Sequence, residues 1–535
     1  MRTRKHMNYE TPAARKRNHY RSRRDLGGAE MTPDHEVLVV GAEISGIGTG
    51  VALLRAGLTD FLIIERSNDI GGTWRDNTYP DVAVDLPSFV YQFSYELNPN
   101  WTRLFPKGAE VKQYIDHMAE KYGLSKHIRL NAEMTSRHWD EDEHLWHVRS
   151  AGGCELTARF ALTAVGLYTE PLRPDIPGLD EFTGKVIQSA RWDHGHDLTG
   201  ERVAVIGTGA SAVQLVPKVA EAAGKLTVFQ RSAIWVFPKP DPSIPRWLRW
   251  LLARVPLTNA VLRAISSAVV EMLLVGIFLL GKPGAVIAKF AAALVRVYLR
   301  TQVSDPALRR KLIPDYKFLC KRPSVSNTYF RTYTRPNVEL VTTGIERITS
   351  KGVLSSDGRM HEIDTLILAT GFRLFYDPEN YRKAPVRGRD GFDLADFFTH
   401  ERVQAYEGVS LPKLPNNFFI FGPYSWSGGS WPGMVETLST HAIRVITETR
   451  RRGATAVEVT PEANDRFLRF ARERIGKSLV YTNNCAGSNT FFLDHHGDSP
   501  LWRPTTSSAA KRAAMTFSLD DYTYRTHPAS AARTP

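Results

Sequence analysis

The sequence predicts an α/β fold built from two nucleotide-binding βαβ domains, with a helical insertion in the second. Three observations carry this reading. Two separate segments run strand, glycine turn, helix, strand; a stretch rich in Leu, Val, Ala and Arg without strand alternation follows the second of them; and 535 residues, 42 % of them apolar, suffice to bury more than one core.

The first unit opens with a buried strand from Glu36 to Val40, followed by a helix reaching about Gly57 and a strand from Phe61 to Glu65. Its turn reads Gly41-Ala42-Glu43-Ile44-Ser45-Gly46, which keeps the first and third glycines of GxGxxG and puts Glu43 in place of the second. Ser45 and Gly46 open the helix whose free amides would meet a pyrophosphate, and Glu65, 24 residues after Gly41, stands where an acid binds an adenosine ribose. The second glycine normally lets a pyrophosphate approach the backbone, so a carboxylate there adds both bulk and like charge, the latter worth roughly 4 kcal/mol at about 4 Å and an effective dielectric near 20. Two outcomes are open: Glu43 turns into solvent and weakened binding survives, which is the expected one, or the site no longer holds a dinucleotide.

The second unit keeps the full pattern. A strand from Arg202 to Ile206 leads into Gly207-Thr208-Gly209-Ala210-Ser211-Ala212, a helix ends near Gly224, and a strand follows from Leu226 to Gln230. Arg231, beside Gln230, occupies the offset at which the first unit has Glu65; an arginine in place of the ribose-binding acid points to a 2′-phosphate, hence NADPH rather than NADH.

These signals divide the chain into a disordered basic leader (1–30), a first nucleotide-binding domain in two parts (31–170 and 369–510), a second in two parts (171–240 and 315–368), the helical insertion (241–314) and a C-terminal tail (511–535). The insertion holds an apolar run from Ala268 to Leu280 broken by Glu271, too short and too charged at its flanks for a membrane span. A core or interdomain helix is its first reading, and a peripheral membrane contact that gathers a greasy substrate is the alternative.

Of the net charge of +13, the leader carries +6, which fits a solvated tail better than a nucleic-acid arm. No apolar segment follows the leader's charges, so a secretory signal is not expected. Three cysteines, Cys154, Cys320 and Cys485, none in a CxxC pair, suit a reducing cytoplasm and argue against a disulfide framework. No metal site is expected: His194 and His196, like His495 and His496, lack further ligands at metal spacing.

Longer motifs carry a resemblance. Gly71-Gly72-Thr73-Trp74 with Tyr79-Pro80 and Asp85, Phe182-Thr183-Gly184 with Trp192-Asp193, Cys320-Lys321-Arg322-Pro323, Ala164-Val165-Gly166 and Ala369-Thr370-Gly371-Phe372 together resemble the Baeyer-Villiger type of flavin-containing monooxygenase over roughly residues 35–505. Three positions depart from its motifs: Glu43, Asp81 where glycine or methionine is expected, and Gln188 where histidine is expected. The resemblance implies two Rossmann-like domains, FAD in the first site and NADPH in the second. It also implies O2-dependent insertion of oxygen beside the carbonyl of a hydrophobic ketone or aldehyde through a flavin C4a-peroxide. It makes Arg322 the stabiliser of developing negative charge, oriented by Asp85, and puts Lys321 at the 2′-phosphate. Gly72, Thr73, Trp74 and Asp85 fall at the flavin, and Thr370 and Gly371 in the linker returning to its domain. Oxygenation of nitrogen or sulfur, and a non-catalytic nucleotide-binding protein, are the competing readings; a disulfide reductase lacks its redox-active cysteine pair. Substrate identity and oligomeric state are not readable.

Overall fold

The computed structural model describes residues 32–527 apart from 277, 278 and 428. The expected leader lies outside the described residues.

The strands that the sequence marks as apolar runs form two parallel sheet centres. In the first, His35–Val40 lies between Phe61–Ile64 and Glu155–Thr163, parallel to both, and Ile128–Arg129 extends the row. Both faces are covered, which is why these strands carry unbroken aliphatic runs instead of alternation. Met134–Asp140 and Leu145–Ser150 continue the sheet antiparallel from Glu155–Thr163, and Asn417–Phe419 returns late in the sequence to pair parallel with that same strand. The second sheet is wholly parallel, in the order Val338–Val341, Lys225–Phe229, Arg202–Ile206, Thr365–Leu368, Lys185–Gln188.

Each unit has one helix leaving its glycine turn, Ile44–Arg55 in the first and Ala210–Ala222 in the second. Gly41 has φ +104°, and a Cβ there would stand 2.5 Å from the Ala164 carbonyl oxygen; Gly207 has φ +120°, and its Cβ would stand 2.2 Å from the Ala369 carbonyl oxygen. Glycine is therefore required at both turns by left-handed backbone and by contact with a crossover strand. Past those alanines the two crossovers pair with each other, Tyr168–Pro171 running antiparallel to Phe372–Leu374.

The insertion is helical, as Arg246–Arg254, Pro256–Val270, Lys282–Gln302 and Pro306–Leu312. The core or interdomain reading of its apolar run needs correction. Among the described side chains of that run Val270 is buried, whereas Val269, Met272, Leu273 and Leu280 face outward, and on the preceding helix Pro256–Val270 so do Leu257, Val261 and Ile265. Among the described residues no helix is long and apolar enough to cross a membrane.

Two further features differ from the sequence reading. Cys320 and Cys485 form a disulfide, both buried, so the argument against disulfides from the lack of CxxC fails. Of the residues placed in a C-terminal tail, 511–527 are described and belong to the fold: Ser507–Thr516 packs on the helix Trp431–Arg451, and Tyr522–Arg525 pairs antiparallel with Ala456–Val459.

Candidate active site and nucleotide clefts

A cleft of about 710 Å3 opens at the carboxyl end of the first sheet, lined by Gly41, Glu43, Glu65, Gly72, Thr73 and Tyr168 among others. Its size falls within the range of small-molecule sites. Glu65 is buried at the end of Phe61–Ile64; it accepts hydrogen bonds from the backbone N–H of Ala42 (2.9 Å) and Ser67 (3.0 Å) and pairs with Arg75 at 3.2 Å. The residues fit a dinucleotide at the ribose end.

Glu43 decides the fit at the phosphate end. Its backbone (φ −79°, ψ −172°) nearly repeats that of Gly209 (φ −71°, ψ −173°), so glycine is not demanded by conformation at either position. What glycine provides is space: a Cβ on Gly209 would meet nothing within 4 Å. The Glu43 side chain does not turn to solvent. It is buried at the N-terminus of Ile44–Arg55, tucked beside Gly72 and Gly166, and its carboxyl accepts from the Ser45 N–H at 3.3 Å. Burial, reinforced by nearby Glu65 and opposed by the Ser45 hydrogen bonds, pushes its pKa up to about 7. The carboxyl group thus caps the helix amides that a pyrophosphate would use, and with that pKa it is about half protonated at pH 7.

The second turn is open where the first is closed. Gly209 and Ala210 are exposed, Ser211 is half-buried and Ala212 is buried in the helix behind them. Thr208 donates to the Ser232 carbonyl (2.7 Å), and Lys321 Nζ donates to the Ser232 hydroxyl (2.7 Å). Burial lowers the Lys321 pKa, and so does the neighbouring Arg231 cation. Two cations held together at the end of Lys225–Phe229 suit a phosphate dianion. Gln230 is buried and donates to the Lys311 carbonyl (2.6 Å), which leaves Arg231 as the exposed member of the pair.

Arg322 lies next to Lys321, and its Nη2 meets the Asp85 carboxylate at 2.7 Å. Burial works against its charge, but Asp85, with Tyr168 and Tyr91 close by, outweighs it and the guanidinium pKa is raised. Its guanidinium carbon sits 5.6 Å from the centre of the Trp426 ring. The segment is anchored from behind by the Cys320–Cys485 disulfide and by Leu319, whose φ of +70° is strained for a leucine.

The GxW motif connects the two units. Trp74 donates to the Tyr91 hydroxyl (3.0 Å), and the Tyr79 hydroxyl donates to Gln214 on the helix Ala210–Ala222 (3.0 Å). Asp81 sits at φ +70° with its carboxylate on Lys107, a conformation natural to glycine and tolerated by aspartate, so this departure fits the local backbone. Gln188 ends the strand Lys185–Gln188 beside Leu368, which leads into Ala369-Thr370-Gly371; Thr370 donates to the Leu172 carbonyl of the other crossover (2.5 Å).

Several neighbours carry no signal in the sequence: Tyr91 and Tyr168 beside Arg322, Ser232 between Thr208 and Lys321, Gln214 under Tyr79, and Arg137. The last lines the first cleft, is buried, donates to Thr163 (2.8 Å), and has its pKa pushed down to about 10 by burial. An arginine inside Met134–Asp140 reads as a solvated face until the cleft is seen.

The family model described as pyridine nucleotide-disulphide oxidoreductase matches residues 38–271. A Baeyer-Villiger monooxygenase of Pseudomonas aeruginosa is 36 % identical over 84 % of this chain and 84 % of its own, and a Baeyer-Villiger monooxygenase of Streptomyces coelicolor is 34 % identical over 92 % and 94 %. The crystal structure of OTEMO complexed with FAD and NADP superposes with a TM-score of 0.82 at 26 % identity, covering 92 % of this chain and 100 % of that one.

Proposed function

The chain belongs to the Baeyer-Villiger monooxygenases, and from that membership we propose that it oxidises a hydrophobic ketone or aldehyde to an ester or lactone, with FAD in the first cleft, NADPH in the second and O2 as co-substrate. The observation that carries the reading is Arg322: a fixed cation held by Asp85, adjacent in sequence to the Lys321 of the second cleft and in contact range of the Tyr168 that lines the first.

FAD, when bound, supplies hydride acceptance and oxygen activation. The protein's residues supply position and charge. The guanidinium of Arg322 does not lose its proton, so it offers the same charge throughout turnover to the negative charge that develops on a carbonyl oxygen under attack. Asp85 holds that charge in place, and Trp426 lies over its face. Arg231 and Lys321 hold the 2′-phosphate, Thr208 to Ala212 the pyrophosphate, and Glu65 a ribose. A substrate of this class partitions into membranes, and the outward apolar helices make a peripheral membrane contact part of the reading.

Arg322→Ala tests the assignment. Flavin content and folding stay at the wild-type level, while ester formation from a ketone panel falls by roughly a hundredfold or more, the loss expected for one electrostatic stabiliser. Unchanged ester formation removes Arg322 from this role. The glutamine at position 188 favours a second reading, heteroatom oxygenation, in which sulfides are oxidised and ketones are not.

A further inference from the structure

The +13 charge of the chain is unevenly placed: +6 lies in residues 1–30, +7 in residues 246–302, and the remainder is neutral. Residues 246–302 hold eight basic side chains and one acid, Glu271, whose carboxylate accepts from the Ser507 N–H at 2.7 Å. Of the cations, Arg246, Arg254, Lys282, Lys289, Arg296 and Arg300 are exposed, and none has an ion-pair partner among the described residues.

Between these cations stand large apolar side chains in helical register. Trp247 and Trp250 are 66 % and 62 % exposed. On Pro256–Val270, Leu257, Val261, Ile265 and Val269 repeat every four residues along one outward stripe. On Lys282–Gln302 the residues Gly284, Ala288, Ala292, Val295 and Leu299 face the core, and the opposite side presents Val286, Phe290, Leu294 and Val297. Single exposed apolar residues are ordinary on a soluble surface, but stripes running the length of two helices are not.

We propose that these three helices dock the protein on an anionic lipid surface. The inference rests on the hydrophobic-substrate reading above and names the partner it left general. A bilayer interface takes both features at once, since the apolar side chains enter the headgroup boundary, tryptophan settles at that level, and the cations reach anionic headgroups. A second copy of the chain does not, because a twofold contact would bring six unpaired cations against the same six. A nucleic acid would leave Leu257, Val286 and Phe290 without an apolar environment.

The docking face also lies on the way to a cavity. The inner side of Pro256–Val270 and the turn after it contribute Arg263, Ser267, Val270 and Glu271 to a cavity of about 160 Å3, whose far wall includes Ser425 and Ser427. Between those serines is Trp426, the ring that faces Arg322. A lipid-dissolved carbonyl compound held at the outer face of this helix is one helix thickness from the cavity.

Co-sedimentation of the full chain with vesicles tests the proposal, using phosphatidylcholine alone and phosphatidylcholine with about 30 % phosphatidylglycerol. Binding is expected to the anionic vesicles, to weaken severalfold between roughly 0.1 and 0.5 M salt, and to fall about tenfold or more in Trp247→Ser/Trp250→Ser and in Val286→Ser/Phe290→Ser. Phe470→Ser, an exposed apolar residue elsewhere, leaves it unchanged. Absence of binding, or equal binding by the helix variants, overturns the proposal. So does a vesicle-free dimer that the same substitutions dissociate, because the face then belongs to a second copy. Oxidation of a water-soluble ketone without vesicles is measured on the same samples and is expected to match wild type in the helix variants. A chain that binds vesicles yet oxidises no ketone refutes the activity reading and leaves the docking face standing.

Discussion

Replacing Glu43 with glutamine keeps the shape of the side chain and removes its ability to ionise. The carboxyl group is buried, and its pKa rises from the ordinary 4.5 to about 7. That rise corresponds to roughly 3 kcal/mol. Because the folded-state pKa is the higher one, this contribution is fully present below pH 4.5 and is lost as pH rises through 7. The apoprotein therefore weakens by about 3 kcal/mol between those limits, and Glu43→Gln abolishes that loss. Flavin affinity follows the same proton. A second negative charge brought within about 4 Å of an ionised Glu43 costs roughly 4 kcal/mol at an effective dielectric near 20, close to three pH units of coupling. Wild-type dissociation constants for FAD should be flat below about pH 6 and climb nearly tenfold per unit above about pH 7, with one proton taken up per flavin bound. Glu43→Gln should bind with the acid-limit wild-type affinity at every pH, and Glu43→Gly should bind more tightly again because it frees the space open beside Gly209. Quenching of flavin fluorescence on titration into apoprotein at pH 6 and pH 9 measures all three. Equal wild-type affinity at the two values, or the same slope in the glutamine variant, refutes the claim that this carboxyl group competes with the pyrophosphate.

Arg231→Ala should raise the Michaelis constant for NADPH by about tenfold to a hundredfold, the loss of one charge-assisted phosphate contact, with the NADH value unchanged; equal effects on both cofactors remove the assignment. The Cys320–Cys485 bridge spans a sequence separation of 165, so Cys485→Ser should lower unfolding stability by about 3 to 5 kcal/mol in chemical denaturation, and an unchanged midpoint would mean the two thiols are not joined in solution. Asp81→Gly should be within about 1 kcal/mol of wild type, whereas Asp81→Val should cost more than about 2 kcal/mol, because φ +70° suits glycine and penalises a β-branched side chain; a tolerated valine in thermal unfolding contradicts that backbone.

Both nucleotide units were legible because their signals are local and redundant. Val37 to Val40, Phe61 to Ile64 and Val203 to Ile206 are apolar without alternation since each strand is covered on both faces, and a glycine turn follows directly on Val40 and on Ile206. What escaped depends on residues far apart in sequence. Nothing near Cys320 indicates Cys485, and nothing near Tyr522 indicates Val459 as its neighbour across a strand pair. The insertion failed for a different reason: Lys282–Gln302 is apolar on opposite sides, so periodicity could not say which side is buried. The choice falls to Gly284, Ala288 and Ala292, whose small side chains let the helix approach the core. Glu43 was found by its motif, but its inward direction rests on Gly72 and Gly166, whose missing side chains leave the room it fills.

The turns, the crossovers and Arg322 form one connected piece. Gly41 rests on the Ala164 carbonyl and Gly207 on the Ala369 carbonyl, and a few residues beyond each alanine the two crossovers pair through Tyr168–Pro171 and Phe372–Leu374. Tyr168, on the first of these, is one of the groups that hold up the Arg322 charge. The first turn thus packs on the crossover that bears Tyr168, and that crossover pairs with the one beneath the second turn. Close packing leaves no slack at either glycine, since a Cβ at Gly41 or Gly207 would already overlap a backbone oxygen. The two turns are thereby joined by direct contact through the paired crossovers, with the Arg322 guanidinium at their junction.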